Sequence, residues 1–190
     1  MTRIGFAITG SFCTIDIALK CMAELAATGV EITPIISQNI DTLDTKFGKA
    51  AWLKDEIAKI TSIPIISTIV GAEPIGPQKL LDALIILPAT GNTIAKIAAG
   101  IADTSVTMAA KAHLRNGRPL ILAVSSNDAL GLGAKNIGLL LAARNIYFVP
   151  FGQDNASHKP RSLVFKEEFT IPTIEAALSG EQFQPLLIQH

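Results

Sequence analysis

Three stretches of small hydrogen-bonding residues stand out in this sequence, each directly after an apolar run. They are Thr9-Gly10-Ser11-Phe12-Cys13-Thr14, Pro88-Ala89-Thr90-Gly91-Asn92-Thr93 and Ser125-Ser126-Asn127-Asp128-Ala129-Leu130-Gly131. Serine and threonine hydroxyls can hydrogen-bond phosphate oxygens, and the N–H groups that open a helix add a positive dipole end. Gly10 would let the chain turn tightly, and the absence of bulky side chains in residues 88–93 would let a ring or phosphate approach the backbone. Lys96 falls one turn further on, and Ser37 closes another apolar run. Taken singly, each stretch also reads as a helix cap, for which one such residue suffices. Taken together they point to a nucleotide. The spacing around Gly10 is not G-x-G-x-x-G, which points away from a nicotinamide.

Loops of this kind work only where strands and helices hold them at one edge. Residues 3–8 read as a buried strand. Ile15, Ala18, Leu19, Met22, Leu25 and Ala26 then fall on one helical face that stops at Gly29. Residues 31–37 return to strand character and complete a βαβ unit. Ala50, Leu53, Ile57 and Ile60 mark a further helix, residues 63–67 a short strand and residues 83–87 a strongly apolar one. Helices are expected from about residue 93 to Gly100, over 103–116 and over 135–144, with strands at 120–124 and 146–149. Strands that are apolar throughout, alternating with helices, predict an α/β fold: a doubly wound, Rossmann-like or flavodoxin-like three-layer arrangement around a mostly parallel sheet. Ligands bind such sheets at the carboxyl ends of the strands, where strand order reverses. If the strand at 3–8 lies beside the strand at 83–87, their loops face each other there.

After Pro150 the periodicity lapses into a polar loop, followed by a short strand at 163–165 and a helix at 173–178. That stretch is too short for a core of its own. Residues 1–190 are therefore expected to form one domain, with 151–190 a loop and C-terminal extension of it. The loop carries a compact basic cluster, His158, Lys159 and Arg161, with Gln153 and Asp154 beside it. Arginine grips carboxylates through paired hydrogen bonds, so Gln153, Asp154, Lys159 and Arg161 are candidate ligands of an anionic substrate. The alternative is a solvated loop. His113 reads as a structural residue on a helix face, Cys13 as a passive thiol and Trp52 as packing on its helix. Asp44 and Lys46 read as capping and solvating the start of that same helix.

The bulk numbers exclude several classes. Sixteen basic and sixteen acidic side chains cancel, whereas nucleic acids and anionic membranes demand a basic surplus. No apolar run is long enough to span a bilayer. Asp16 and Lys20 interrupt the apolar N-terminus, which argues against a secretion signal. Cys13 and Cys21, the only cysteines, show neither C-x-x-C spacing nor a cysteine–histidine cluster, so free thiols are expected and a metal is not. Apolar residues make up 49% of the chain, enough to suggest strands buried on both faces and an oligomer that hides further surface.

The stretch Pro88-Ala-Thr-Gly-Asn-Thr-Ile-Ala-Lys-Ile-Ala-Ala-Gly-Ile-Ala-Asp103 resembles the flavin-binding motif of the homo-oligomeric flavin-containing cysteine decarboxylase family. Thr9-Gly10-Ser11 matches that family's phosphate loop in position. Several further stretches resemble the family of dipicolinate synthase B subunits. These are Arg3-Ile-Gly-Phe6, Asp44-Thr-Lys-Phe-Gly48, Ala72-Glu-Pro74 with Gly76-Pro77, and Met108-Ala-Ala-Lys-Ala112. Residues 126–132, 145–146 and 148–154 belong to the same set, and the similarity runs from residue 3 to about 188. The resemblance implies bound FMN, contacted by Thr9, Gly10, Ser11, Pro88, Thr90, Asn92, Thr93, Ser126 and Asn127. It implies an A subunit that carries NADP, a dihydrodipicolinate-type precursor and dipicolinate as product. A homo-oligomer built from trimers, in the mother-cell cytoplasm of a spore former, is implied as well. Decarboxylases of the wider family carry Pro-Ala-Met-Asn where this chain has Ser125-Ser126-Asn127-Asp128, and a histidine soon after the phosphate loop. Here the histidines are His113, His158 and His190. No catalytic acid or base is therefore carried over. A flavin-dependent decarboxylase, a flavin prenyltransferase and a non-catalytic accessory subunit stand as alternatives.

Overall fold

The computed structural model describes residues 1–188. Its frame is a seven-stranded sheet. The parallel part is formed by β1 (Arg3–Ile8), β2 (Glu31–Ile36), β3 (Ala83–Ala89), β4 (Leu120–Ser126) and β5 (Ile146–Phe148), in the order β2-β1-β3-β4-β5. Side chains alternate across a strand, and here both faces are buried. Ile4, Phe6 and Ile8 of β1 join Ala83, Ile85 and Leu87 of β3 on one face, packed under α1 (Ile15–Ala27) and α3 (Ala50–Ile60). Leu84, Ile86 and Ala89 of β3 turn to the other face. There they meet Ile94 of α5 (Gly91–Ala98), Val106 and Ala109 of α6 (Ser105–Leu114), and Ile137 of α7 (Ala134–Leu141). The fold is thus α/β, Rossmann-like and doubly wound around a mostly parallel sheet.

Several boundaries differ from the sequence reading, for identifiable reasons. Residues 63–67 form no strand. Ile66 makes one parallel bridge to Ile35, and Pro34 and Pro64, which lack N–H groups, keep a longer ladder from forming. Ser37 lies just outside β2 and opens a short helix, α2 (Gln38–Thr42), that no periodicity marks. A second such turn, α4 (Ile69–Ala72), leads towards β3. The helix expected from residue 93 starts at Gly91 because the Thr90 side chain caps it. The helix expected over 103–116 is Ser105–Leu114, capped by Thr104, and that expected over 135–144 ends at Leu141.

The chain beyond Pro150 is built into the sheet. β6 (Phe151–Gly152) pairs antiparallel with β7 (Leu163–Phe165), and β7 pairs antiparallel with the end of β4, Val164 opposite Ser125 and Leu163 opposite Ser126. The final helix, α8 (Thr170–Leu178), begins three residues before the expected start and buries Ile174 and Ala177 in the cluster of Ile4 and Phe6. Among the described residues, no helix is long and apolar enough to cross a membrane.

Candidate functional site

From β1 the chain winds outward to β2, then returns to place β3 on the opposite side of β1. Strand order therefore reverses between β1 and β3, and the loops that leave their carboxyl ends are cross-linked. The Thr9 hydroxyl donates to the Pro88 carbonyl at 2.7 Å and accepts from the Thr90 N–H at 3.3 Å. The Thr90 hydroxyl in turn lies 3.0 Å from that of Thr93 and caps the Thr93 N–H. One loop further, the hydroxyls of Ser11 and Ser125 are 2.9 Å apart. Residues 9–11, 88–93 and 125–126 thus form one hydrogen-bonded rim.

Beside that rim opens a cavity of about 320 Å³, lined by Thr9, Gly10, Ser37, Thr90, Asn92, Thr93 and Lys96, with Gln38, Asn39, Thr104, Val106 and Thr107 completing the wall. Its volume falls in the range of small-molecule sites, ~300–1,000 Å³. The starts of α2, α5 and α6 converge on it. Thr104 and Thr107 form a reciprocal capping box at the start of α6, and Ser105 fixes that start by donating to the Ile36 carbonyl at 2.5 Å. Lys96 is the cavity's cation, and its ammonium lies 2.8 Å from both carboxylate oxygens of Asp103. That hydrogen bond holds the Asp103 carboxyl below its usual range, so Asp103 is a carboxylate at neutral pH. The buried Ser37 hydroxyl has no hydrogen-bond partner among the described residues. Several hydroxyls, three helix starts, one cation and a spare buried oxygen fit a phosphate group.

Two further cavities continue around the rim. One, about 300 Å³, is lined by Ser11, Cys13, Thr14, Ser125, Ser126 and Asn127, with Asp154 and Lys159 reaching in from the 153–161 loop. The other, about 550 Å³, lies between the starts of α5 and α7 and includes Gly91, Asn92, Ser126, Asn127 and Lys135. Asn92 borders the first and third cavities, and Ser126 and Asn127 the second and third.

The sequence candidates divide accordingly. Thr9, Gly10, Ser37, Thr90, Asn92 and Thr93 share the phosphate-sized cavity, whereas Ser11 and Thr14 face the second one. The Thr14 hydroxyl donates to the Ser11 carbonyl and the Ser11 N–H to the Thr9 carbonyl, so part of the expected cradle is spent on the loop itself. Pro88 and Ala89 are buried inside β3. Lys159 is paired with Asp154 at 3.1 Å. Gln153 donates to the Pro160 carbonyl, and Arg161 faces Asp128 at 3.8 Å. The loop cations are therefore engaged locally. His113 is fully buried, with Nε2 3.0 Å from the Pro119 carbonyl, and burial pushes its pKa down to about 4. Trp52 packs over the Gly48 backbone, and the Asp44 side chain accepts from the Ala50 N–H at the start of α3. The sequence reading missed Gln38, Asn39, Thr104 and Thr107. Thr-x-x-Thr opening an apolar helix was the available signal for the last two.

Comparison with known proteins identifies the family and the fold. A family model described as Flavoprotein matches residues 1–154. The chain is 44% identical over 189 residues to the dipicolinate synthase B subunit of Bacillus subtilis (strain 168), a match that covers 99% of this chain and 94% of that protein. The crystal structure of the dipicolinate synthase B subunit from Bacillus halodurans C superposes with a TM-score of 0.92 at 47% identity, covering 99% of this chain and 96% of that one. The FMN-dependent cysteine decarboxylase SpaF shares the fold, with a TM-score of 0.69 at 21% identity over 94% of this chain and 96% of that one.

Proposed function

The chain belongs to the flavoprotein family and is a homologue of the dipicolinate synthase B subunit, and on that premise we propose that it is the flavin-nucleotide-binding B subunit of a dipicolinate synthase. It acts with an A subunit that carries NADP, converting a dihydrodipicolinate-type precursor to the aromatic pyridine dicarboxylate during sporulation, in the mother-cell cytoplasm. The observation that carries the reading is the convergence of Thr9, Thr93, Thr104, Thr107 and the starts of α2, α5 and α6 around Lys96, at the point where strand order reverses. These residues and Ser37 would hold the phosphate of FMN. A bound flavin supplies the redox chemistry, and the chain's own contribution is binding and orientation. Two of the three N–H groups of the Lys96 ammonium face Asp103, and the third can supply the charge-assisted hydrogen bond that a phosphate monoester requires and that riboflavin does not. A homo-oligomer of trimers or their multiples belongs to the same reading. Leu139 and Leu141, exposed on the outer side of α7, support it.

Visible spectra of the purified chain with and without FMN test the cofactor assignment. The expected result is a bound-flavin spectrum, with Lys96→Ala weakening FMN at least about tenfold and riboflavin little. A chain that stays colourless in excess FMN would sink the assignment. Adding the A subunit, NADP and dihydrodipicolinate, and following pyridine absorbance, tests the reaction. A rate that does not change when this chain is omitted removes the synthase role.

A further inference from the structure

Of the cations lining the three cavities, two are already bound: Lys96 to Asp103 and Lys159 to Asp154. Lys135 is different. It lies in the first turn of α7 and lines the widest of these cavities, about 550 Å³, yet its side chain makes no hydrogen bond or ion pair among the described residues. The amides of Asn92, Asn127 and Asn136 and the Ser126 hydroxyl line the same space. Ala95 and Leu132, the latter 81% exposed, supply an apolar wall. The one carboxylate present, Asp128, is already occupied. It accepts from the Leu132 N–H at 3.2 Å and faces the Arg161 guanidinium at 3.8 Å.

The chemistry of this lining is specific. A single unpaired ammonium can make a charge-assisted hydrogen bond to one carboxylate, neutral amides can donate to a second, and an apolar wall can cover a flat ring. Two glycines keep the walls close. A β-carbon at Gly91 would stand 2.8 Å from the Ser126 hydroxyl, and one at Gly133 2.8 Å from the Asp128 carbonyl oxygen. We infer that Lys135 anchors one carboxylate of a small aromatic dicarboxylate in this cavity, with Asn92, Asn127 and Asn136 taking the other. The site lies beside the phosphate cavity, with Asn92 on the border of both. The substrate class rests on the proposed function, and the assignment of the cavity rests on its own residues.

Calorimetric titration of the full chain with pyridine-2,6-dicarboxylate, with and without FMN, tests the inference. Wild-type protein should bind one dicarboxylate per chain, more weakly as salt is raised. Lys135→Gln should weaken that binding at least about tenfold, while Lys135→Arg retains it within a few-fold and FMN affinity is the same in all three proteins. Binding by Lys135→Gln equal to wild type, or no uptake of dicarboxylate by FMN-loaded wild type, overturns the inference. Failure of FMN to bind, with the Lys135-dependent dicarboxylate site intact in the unloaded chain, counts against the cofactor reading and leaves this one standing.

Discussion

A β-carbon at Gly91 would press on Ser126, whose hydroxyl also receives the Asp128 N–H at 3.3 Å. One at Gly10 would meet only ordinary contacts, the nearest 3.7 Å away. The glycine that the sequence makes conspicuous is thus not the one the packing requires. Gly91→Ala should destabilise the protein by about 1–2 kcal/mol in urea unfolding, because Ser126 must rotate away from its partner. Gly10→Ala should leave stability within about 1 kcal/mol while narrowing the phosphate cavity and weakening FMN. His113 gives a second test at this scale. A carbonyl only accepts, so Nε2 carries the proton in its bond to Pro119, and the buried Nδ1 has no partner among the described residues. Burial and the nearby Arg118 charge disfavour the imidazolium, lowering the pKa from 6.5 to about 4. Between these values the unfolded chain binds the extra proton. Stability is therefore complete above pH 6.5 and lost as pH falls towards 4, by up to about 3 kcal/mol. Chemical unfolding across that window should show the slope, and His113→Leu should remove this residue's share of it.

At the scale of elements, the phosphate cavity depends on how α5 and α6 begin. Thr90 caps one and Thr104 the other, and Lys96 bridges them through Asp103. Thr104→Ala should cost about 1 kcal/mol of stability through the lost cap and should also weaken FMN, since the same side chain lines the cavity. Lys96→Ala should affect stability much less, because Asp103 is largely exposed and such pairs contribute little, yet weaken FMN more. Opposite rankings in unfolding and in binding separate the two roles. This division also explains what could be read beforehand. Strands with both faces buried and helices with one apolar face announce themselves by period, so the sheet and the loops after β1, β3 and β4 were legible. Thr104, Thr107, Gln38 and Asn39 were not. They enter the cavity only because β2 and α6 meet there, through the Ser105–Ile36 hydrogen bond, and a cap motif carries no information about what it faces. The charges of the 153–161 loop read as free in sequence for the complementary reason: only the fold brings Lys159 to Asp154 and Arg161 towards Asp128.

At the scale of the whole molecule, the family match ends at residue 154, while the core does not. Phe165, Ile174 and Ala177 are nearly inaccessible and pack in the cluster of Ile4, Phe6 and Ile121. β7 covers the free edge of β4 at Ser125 and Ser126, beside the Ser11 contact that ties the first loop to the third. Removing everything after residue 154 would uncover those apolar side chains and leave the end of β4 unpaired, at the strand that carries the third loop. The truncated chain should therefore lose the sharp, cooperative thermal transition expected of the 190-residue chain. It should also bind a hydrophobic dye and fail to take up FMN. The reason for the last effect is architectural, since the phosphate cavity itself draws no residue from beyond Thr107. A truncated chain that melts cooperatively and binds FMN like the full one would show that residues 155–190 are an appendage rather than part of the domain's core.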